Sequence, residues 1–166
     1  MRRPPPRRSS TAAPPAALPV AVRLLARRDY GRHELRARLC ARGIDATSVD
    51  AALDELERRG LLSDARYADA VVAQKAGRYG RRAIAHALKE KGVDAAAASG
   101  ALDRLAGRDE VGEALALLQR RYDKPPANRN EKARQVRFLL ARGYPTAVAL
   151  KALRLAGAPR DDDDET

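Results

Sequence analysis

The chain has 166 residues, 33 Lys and Arg against 22 Asp and Glu, a net charge of +11, and one cysteine. The single Cys40 excludes an internal disulfide and suits a reducing cytoplasm, and no apolar stretch approaches the length of a membrane span. A pI near 10.5 favours a polyanionic partner: nucleic acid, a nucleoprotein, an acidic protein face or an anionic membrane.

Residues 1–15 combine Pro, Arg, Ser and Ala, cannot build a core, and read as a disordered tail. Beyond them every segment reads as helix, because Ala, Leu, Arg and Glu dominate and strand-like alternation is absent. A first helix is expected to run to about Arg28, with Val22 and Leu25 on one face. The second covers residues 32–42, buries Leu35 and Leu39, and ends at Gly43. The third, residues 46–59, buries Val49, Leu53 and Leu56 and closes at Gly60. Ser63 and Asp64 form the expected start of the fourth, which carries Tyr67, Ala70 and Val71. The fifth, residues 81–91, buries Ile84 and Leu88 and stops at Gly92; Asp94 caps the sixth, which carries Leu102 and Leu105.

The seventh helix opens near Asp109 and runs to about Tyr122, where Pro125 and Pro126 break the chain and a loop extends to Asn130. The eighth, residues 131–142, is anchored by Val136, Leu139 and Leu140 and ends at Gly143. Pro145 fits the first turn of the ninth, which carries Leu150 and Leu153. Residues 158–166 form an acidic tail that reads as disordered.

These helices repeat. Tyr30-Gly31-Arg32 through Arg42-Gly43-Ile44-Asp45 recurs 49 residues later as Tyr79-Gly80-Arg81 through Lys91-Gly92-Val93-Asp94, and a looser third copy ends in Arg142-Gly143-Tyr144. The anchors Leu53, Leu102 and Leu153 keep the register at spacings of 49 and 51. The expected fold is all-α: three tandem three-helix repeats, at 16–61, 62–107 and 108–157, about nine helices in an elongated, curved array that presents a surface.

The second helix of each repeat is basic to the same degree, four cations against one Glu: Arg32, Arg36, Arg38 and Arg42; Arg81, Arg82, Lys89 and Lys91; Lys132, Arg134, Arg137 and Arg142. The third helix of the first repeat is acidic, with Asp50, Asp54, Glu55 and Glu57. One basic helix is an ordinary solvated face; three equivalent ones suit a partner with a periodic negative surface. The candidate contacts are Arg32, Arg36, Arg78, Arg81, Arg82, Lys89, Lys132, Arg134, Arg137 and Arg142, with Ser63, Asp64, Tyr67, Gly43, Gly92 and Gly143 as structural positions and the Ser63-Asp64 helix start fixing a joint between repeats. Tyr30, Tyr79, Tyr122 and Tyr144 fall at helix ends, where stapling the fold is a commoner use than stacking on bases. His33 and His86 lack metal-ligand spacing, Cys40 reads as a packed small hydrophobe, and no glycine-rich phosphate loop exists, so neither metal nor cofactor nor catalytic residue is expected.

Leu24-Leu25-Ala26-Arg27-Arg28-Asp29-Tyr30 with Glu34, Leu35, Arg36 and Leu39 resembles the opening of the RecX family of recombination regulators. Leu61-Leu62-Ser63-Asp64-Ala65-Arg66-Tyr67-Ala68 resembles that family's most recognisable motif; Arg78-Tyr79-Gly80-Arg81 with Ile84, Leu88, Lys91 and Gly92 continues it, and Phe138 to Tyr144 resembles its C-terminal signature. The resemblance covers about Val20 to Leu155; both tails and the stretch at 124–130 depart from it. It implies three tandem three-helix units and a modulator, usually an inhibitor, of the RecA recombinase. Such a modulator lies along the groove of the RecA–single-stranded DNA filament and suppresses strand exchange, ATP hydrolysis and repressor co-cleavage, placing it in DNA repair and the SOS response. The expected partners are the RecA nucleoprotein filament and single-stranded DNA, with double-stranded DNA as a further candidate; the expected state is a cytoplasmic monomer with no membrane partner. Two rival readings remain: a DNA-binding protein that competes for single strands, and a helical protein-interaction scaffold.

Overall fold

The computed structural model describes residues 16–158; the tails expected at 1–15 and 158–166 lie outside the described residues, Ala158 excepted. Among the described residues there are nine α-helices and no strand: α1 (Ala17–Leu25), α2 (Arg32–Cys40), α3 (Ala46–Arg58), α4 (Asp64–Lys75), α5 (Arg81–Glu90), α6 (Ala95–Asp103), α7 (Glu110–Arg121), α8 (Arg129–Ala141) and α9 (Thr146–Ala156). None of them is long and apolar enough to cross a membrane.

Local chemistry sets the boundaries. Asp45, Ser63, Asp94, Asp109 and Asn128 each accept a hydrogen bond from a backbone N–H in the first turn of the helix they precede. Asp94 serves two such donors, Ala96 and Ala97, at 2.9 and 3.2 Å. The Asn128 cap starts α8 earlier than expected, and Glu131 reaches back to the Ala127 N–H at 2.9 Å. At the other end of α8, the Gly143 N–H donates to Leu140 and the Tyr144 N–H to Leu139, a closure that needs the positive φ of +84° at Gly143. Gly92 closes α5 in the same way.

Each repeat has its own core. In the first, α3 packs on α1 and α2 around Leu35, Leu39, Val49, Leu53 and Leu56. In the second, α6 packs on α4 and α5 around Tyr67, Val71, Ile84, Leu88 and Leu102. In the third, α9 packs on α7 and α8 around Leu118, Leu139, Tyr144 and Leu153. The chain divides into two compact units, Met1–Leu62 and Ser63–Thr166, so the second and third repeats share one unit.

Several expected anchors face water. Val22 is 42% exposed, and α1 buries Ala17 and Ala21 instead. Leu140 and Leu150 are each 39% exposed, while their neighbours Leu139 and Ala149 are buried. One position is a 100° rotation of the helix, so at the edge of the buried stripe one of two adjacent apolar residues turns inward and its neighbour faces water. Ala70 is exposed, Leu105 lies past the end of α6, and α1 stops at Leu25, three residues earlier than expected. Pro145 occupies the N-cap of α9 with extended ψ, one position before the first turn.

Candidate interaction surface

The segments 31–42, 80–91 and 131–142, built on α2, α5 and α8, carry equal charge in sequence and very different electrostatics in space. On α2, Arg32 bonds Asp54 at 2.7 Å and Glu57 at 2.6 Å, and Arg36 makes a two-bond fork to Asp50 at 2.7 and 3.1 Å. All three acids belong to α3. Partial burial works against the charge on Arg32, yet Asp54 and Glu57 carry its pKa above the ordinary arginine value. The bond to Asp50 raises Arg36, and the same bond holds the Asp50 carboxyl below the usual carboxylate range. Arg38 bonds Glu34 at 3.3 Å and lies over the Tyr30 ring.

On α5, Arg81 bonds Asp103 at 3.2 Å and the Leu102 carbonyl, which ties it to α6. Arg78, Arg82 and Lys89, and on α8 Lys132 and Arg137, are exposed and form no ion pair among the described residues. Arg134 lies over Tyr122, and Arg142 covers Phe138 at 4.6 Å and Tyr79 at 5.6 Å. No aromatic ring among the described residues stands exposed: Tyr30, Tyr67 and Tyr144 are buried, and Tyr79, Tyr122 and Phe138 are half-buried under cations. The tyrosines staple the fold.

The motif residues are structural in the second repeat. Ser63 caps α4 by accepting from the Arg66 N–H at 3.3 Å. Asp64 accepts from the Asp94 N–H at 3.0 Å, joining the start of α4 to the start of α6. Tyr67 is buried with the Lys91 ammonium over its ring. The turn glycine Gly43 has open space around it.

The joint between the second and third repeats rests on a residue outside the candidate set, Gly80. Its N–H donates to the Arg142 carbonyl at 2.8 Å. A Cβ there would lie 2.5 Å from the Gly143 carbonyl oxygen, and a Cβ at Gly143 would lie 2.4 Å from the Ala83 nitrogen. Backbone meets backbone because neither partner has a side chain. The recurrence of Gly31 as Gly80 in the 49-residue repeat was the available signal.

Beside this joint, Arg108 pairs with Glu113 through a 2.8 Å bond, while the second Glu113 oxygen and the Tyr144 hydroxyl are buried without a hydrogen-bond partner. Burial first, and the Glu113 charge second, push the Tyr144 pKa up to about 12. An unpaired buried hydroxyl costs desolvation and returns nothing, so Tyr144→Phe is expected to melt no lower than the parent. The pH dependence has a definite sign. The raised pKa means stability is full below pH 10 and declines as pH rises towards 12, because only the unfolded chain ionises readily there. Urea midpoints at about pH 9 and 11 should fall less for Tyr144→Phe than for the parent; an equal fall contradicts the buried hydroxyl.

Among the described residues, nine helices in three-helix repeats, with glycine-closed basic helices, define an all-helical repeat protein that offers a charged surface. Models of the RecX first, second and third three-helix domains match residues 17–56, 63–102 and 109–153. The chain belongs to the RecX family. It is 40% identical over 144 residues to the regulatory protein RecX of Leptothrix cholodnii, covering 87% of this chain and 91% of that one. It is 46% identical over 140 residues to its counterpart from Thermus thermophilus, covering 84% and 92%. The crystal structure of RecX from Lactobacillus salivarius shares the fold, with a TM-score of 0.72 at 20% identity over 84% of this chain and 94% of that one.

Proposed function

We propose that this protein binds the RecA–single-stranded DNA filament and inhibits the recombinase, its ATPase and its co-protease activity. Family membership supports a regulatory role. The observation that carries the surface is the set of exposed cations on α5 and α8, Arg82, Lys89, Lys132 and Arg137, which lack acidic partners among the described residues. Uncompensated cations attract a phosphate backbone and release its counterions, whereas the paired arginines of α2 serve the first repeat's own packing.

The rival, competition for free single strands, draws on the same cations. Against it stands the lack of an exposed aromatic ring among the described residues, since stacking supplies much of the base-independent affinity of dedicated single-strand binders. RecA's DNA-dependent ATP hydrolysis separates the two. The protein titrated onto preformed filaments is expected to inhibit well below one copy per RecA. Inhibition only when this protein meets DNA before RecA would replace filament binding with competition.

A further inference from the structure

Beside the glycine joint the cationic surface has a groove whose lining mixes polar side chains with Ala83, Leu140 and Ala141 on its floor. This groove of about 510 Å³ runs between α5 and the α8–α9 turn, lined by Arg82, Ala83 and His86 on one side and Leu140, Ala141 and Thr146 on the other. Leu140 is a large apolar side chain left in water. Leu150, one helical turn after Thr146, is exposed to the same extent and continues the stripe along α9. Arg137, one turn before Leu140 and Ala141, shares their face of α8. The walls are fixed, because Gly80 and Gly143 hold α5 against the turn through backbone contact. A preformed groove spares its ligand the cost of ordering it.

Two features decide the kind of occupant. Arg82 and Arg137 form no ion pair among the described residues and ask for negative charge. The floor asks for an apolar side chain, and no exposed aromatic ring is present among the described residues to stack a base. A nucleic-acid strand held only by its phosphates leaves Leu140, Ala83 and Ala141 uncovered. A peptide segment with one apolar side chain flanked by carboxylates covers the floor and pairs the walls. We infer that this groove docks an acidic, apolar-anchored segment of a protein partner. This rests on the filament reading above and assigns the groove to the filament's protein surface, while the remaining cations face its DNA.

The test places p-benzoylphenylalanine at Leu140 in the full chain, with a second chain carrying it at Leu155, at the far end of α9, as control. Each is irradiated with RecA filaments preformed on oligo(dT), and co-sedimentation is measured in parallel. The expected result is an adduct from position 140 to the RecA polypeptide at an acidic segment, several-fold stronger than from position 155. Adducts to the oligonucleotide assign the groove to nucleic acid and overturn the inference, as does co-sedimentation without a position-140 adduct. Where the bulky probe itself blocks binding, Leu140→Glu decides. It should weaken filament binding at least about tenfold and leave oligo(dT) binding unchanged; unchanged filament binding overturns the inference and leaves the functional reading standing. Failure of the unmodified protein to co-sediment removes both.

Discussion

Alanine at Gly143 is expected to destabilise its unit by about 2–5 kcal/mol, against about 1–2 kcal/mol for alanine at Gly43. Both glycines sit at positive φ, +84° and +78°, so both substitutions incur the cost of a left-handed L-residue. They differ in what the new methyl meets. At Gly43 there is open space; at Gly143 the methyl would press on the Ala83 nitrogen and Cβ at 2.4 and 2.5 Å. Backbone cannot step aside as a long side chain can, so α5 and the α8–α9 turn must separate. Gly80→Ala isolates the packing part, since its φ of −73° is ordinary for any residue while its Cβ would lie 2.5 Å from the Gly143 oxygen. Against a typical total of about 5–15 kcal/mol, such a loss is visible in any urea titration followed by circular dichroism. Equal midpoints for Gly143→Ala and Gly43→Ala would mean that the second and third repeats are not in close backbone contact.

The combined variant Lys89→Glu and Lys132→Glu is expected to lower affinity for oligo(dT) at low salt by roughly tenfold to a hundredfold. It should also flatten the plot of log affinity against log salt by about 0.7 for each phosphate left without its cation. Both side chains are exposed and unpaired among the described residues, so the fold and melting temperature should hold. The matched pair on α2, Arg32→Gln with Arg36→Gln, should behave in the opposite way. Its salt slope stays near the parent's, because those guanidinium groups already face Asp54, Glu57 and Asp50. Its stability falls, because the tie between α2 and α3 is broken. The Arg36–Asp50 contribution also has a pH signature. With the Asp50 pKa held low, it is present above the ordinary carboxylate range and disappears as acid protonates Asp50, and Arg36→Gln should remove that acid sensitivity. A salt slope flattened as much by the α2 pair as by the α5–α8 pair would return all three helices to equal standing.

Much of the fold was legible because helices write their burial at a period of about 3.6 residues. Leu53, Leu102 and Leu153 stand buried in their three cores, and Ser63 and Asp94 cap the helices that their positions announce. The misplaced anchors share one cause. Where Leu139 and Leu140 are adjacent, or where Ala21 precedes Val22, hydrophobicity cannot say which neighbour turns inward. On α1 the alanines won, because a small side chain lets the helix lie close on α3. The Asn128 cap is not legible in the sequence, because the prolines before it and Asn130 after it read as one loop.

The sequence by itself determined an all-helical chain of three repeats, their register, their turn glycines and an equal cationic excess over residues 31–42, 80–91 and 131–142. Those are local properties, set by spacing along the chain and by the short reach of caps and turns. Only the tertiary structure decided which cations remain available and where two repeats touch. Arg32 meets its acids 22 and 25 residues away, and Gly80 meets Arg142 across two cores. Charge pairing and close packing depend on distance in space, and that distance exists only once the three-helix units have folded.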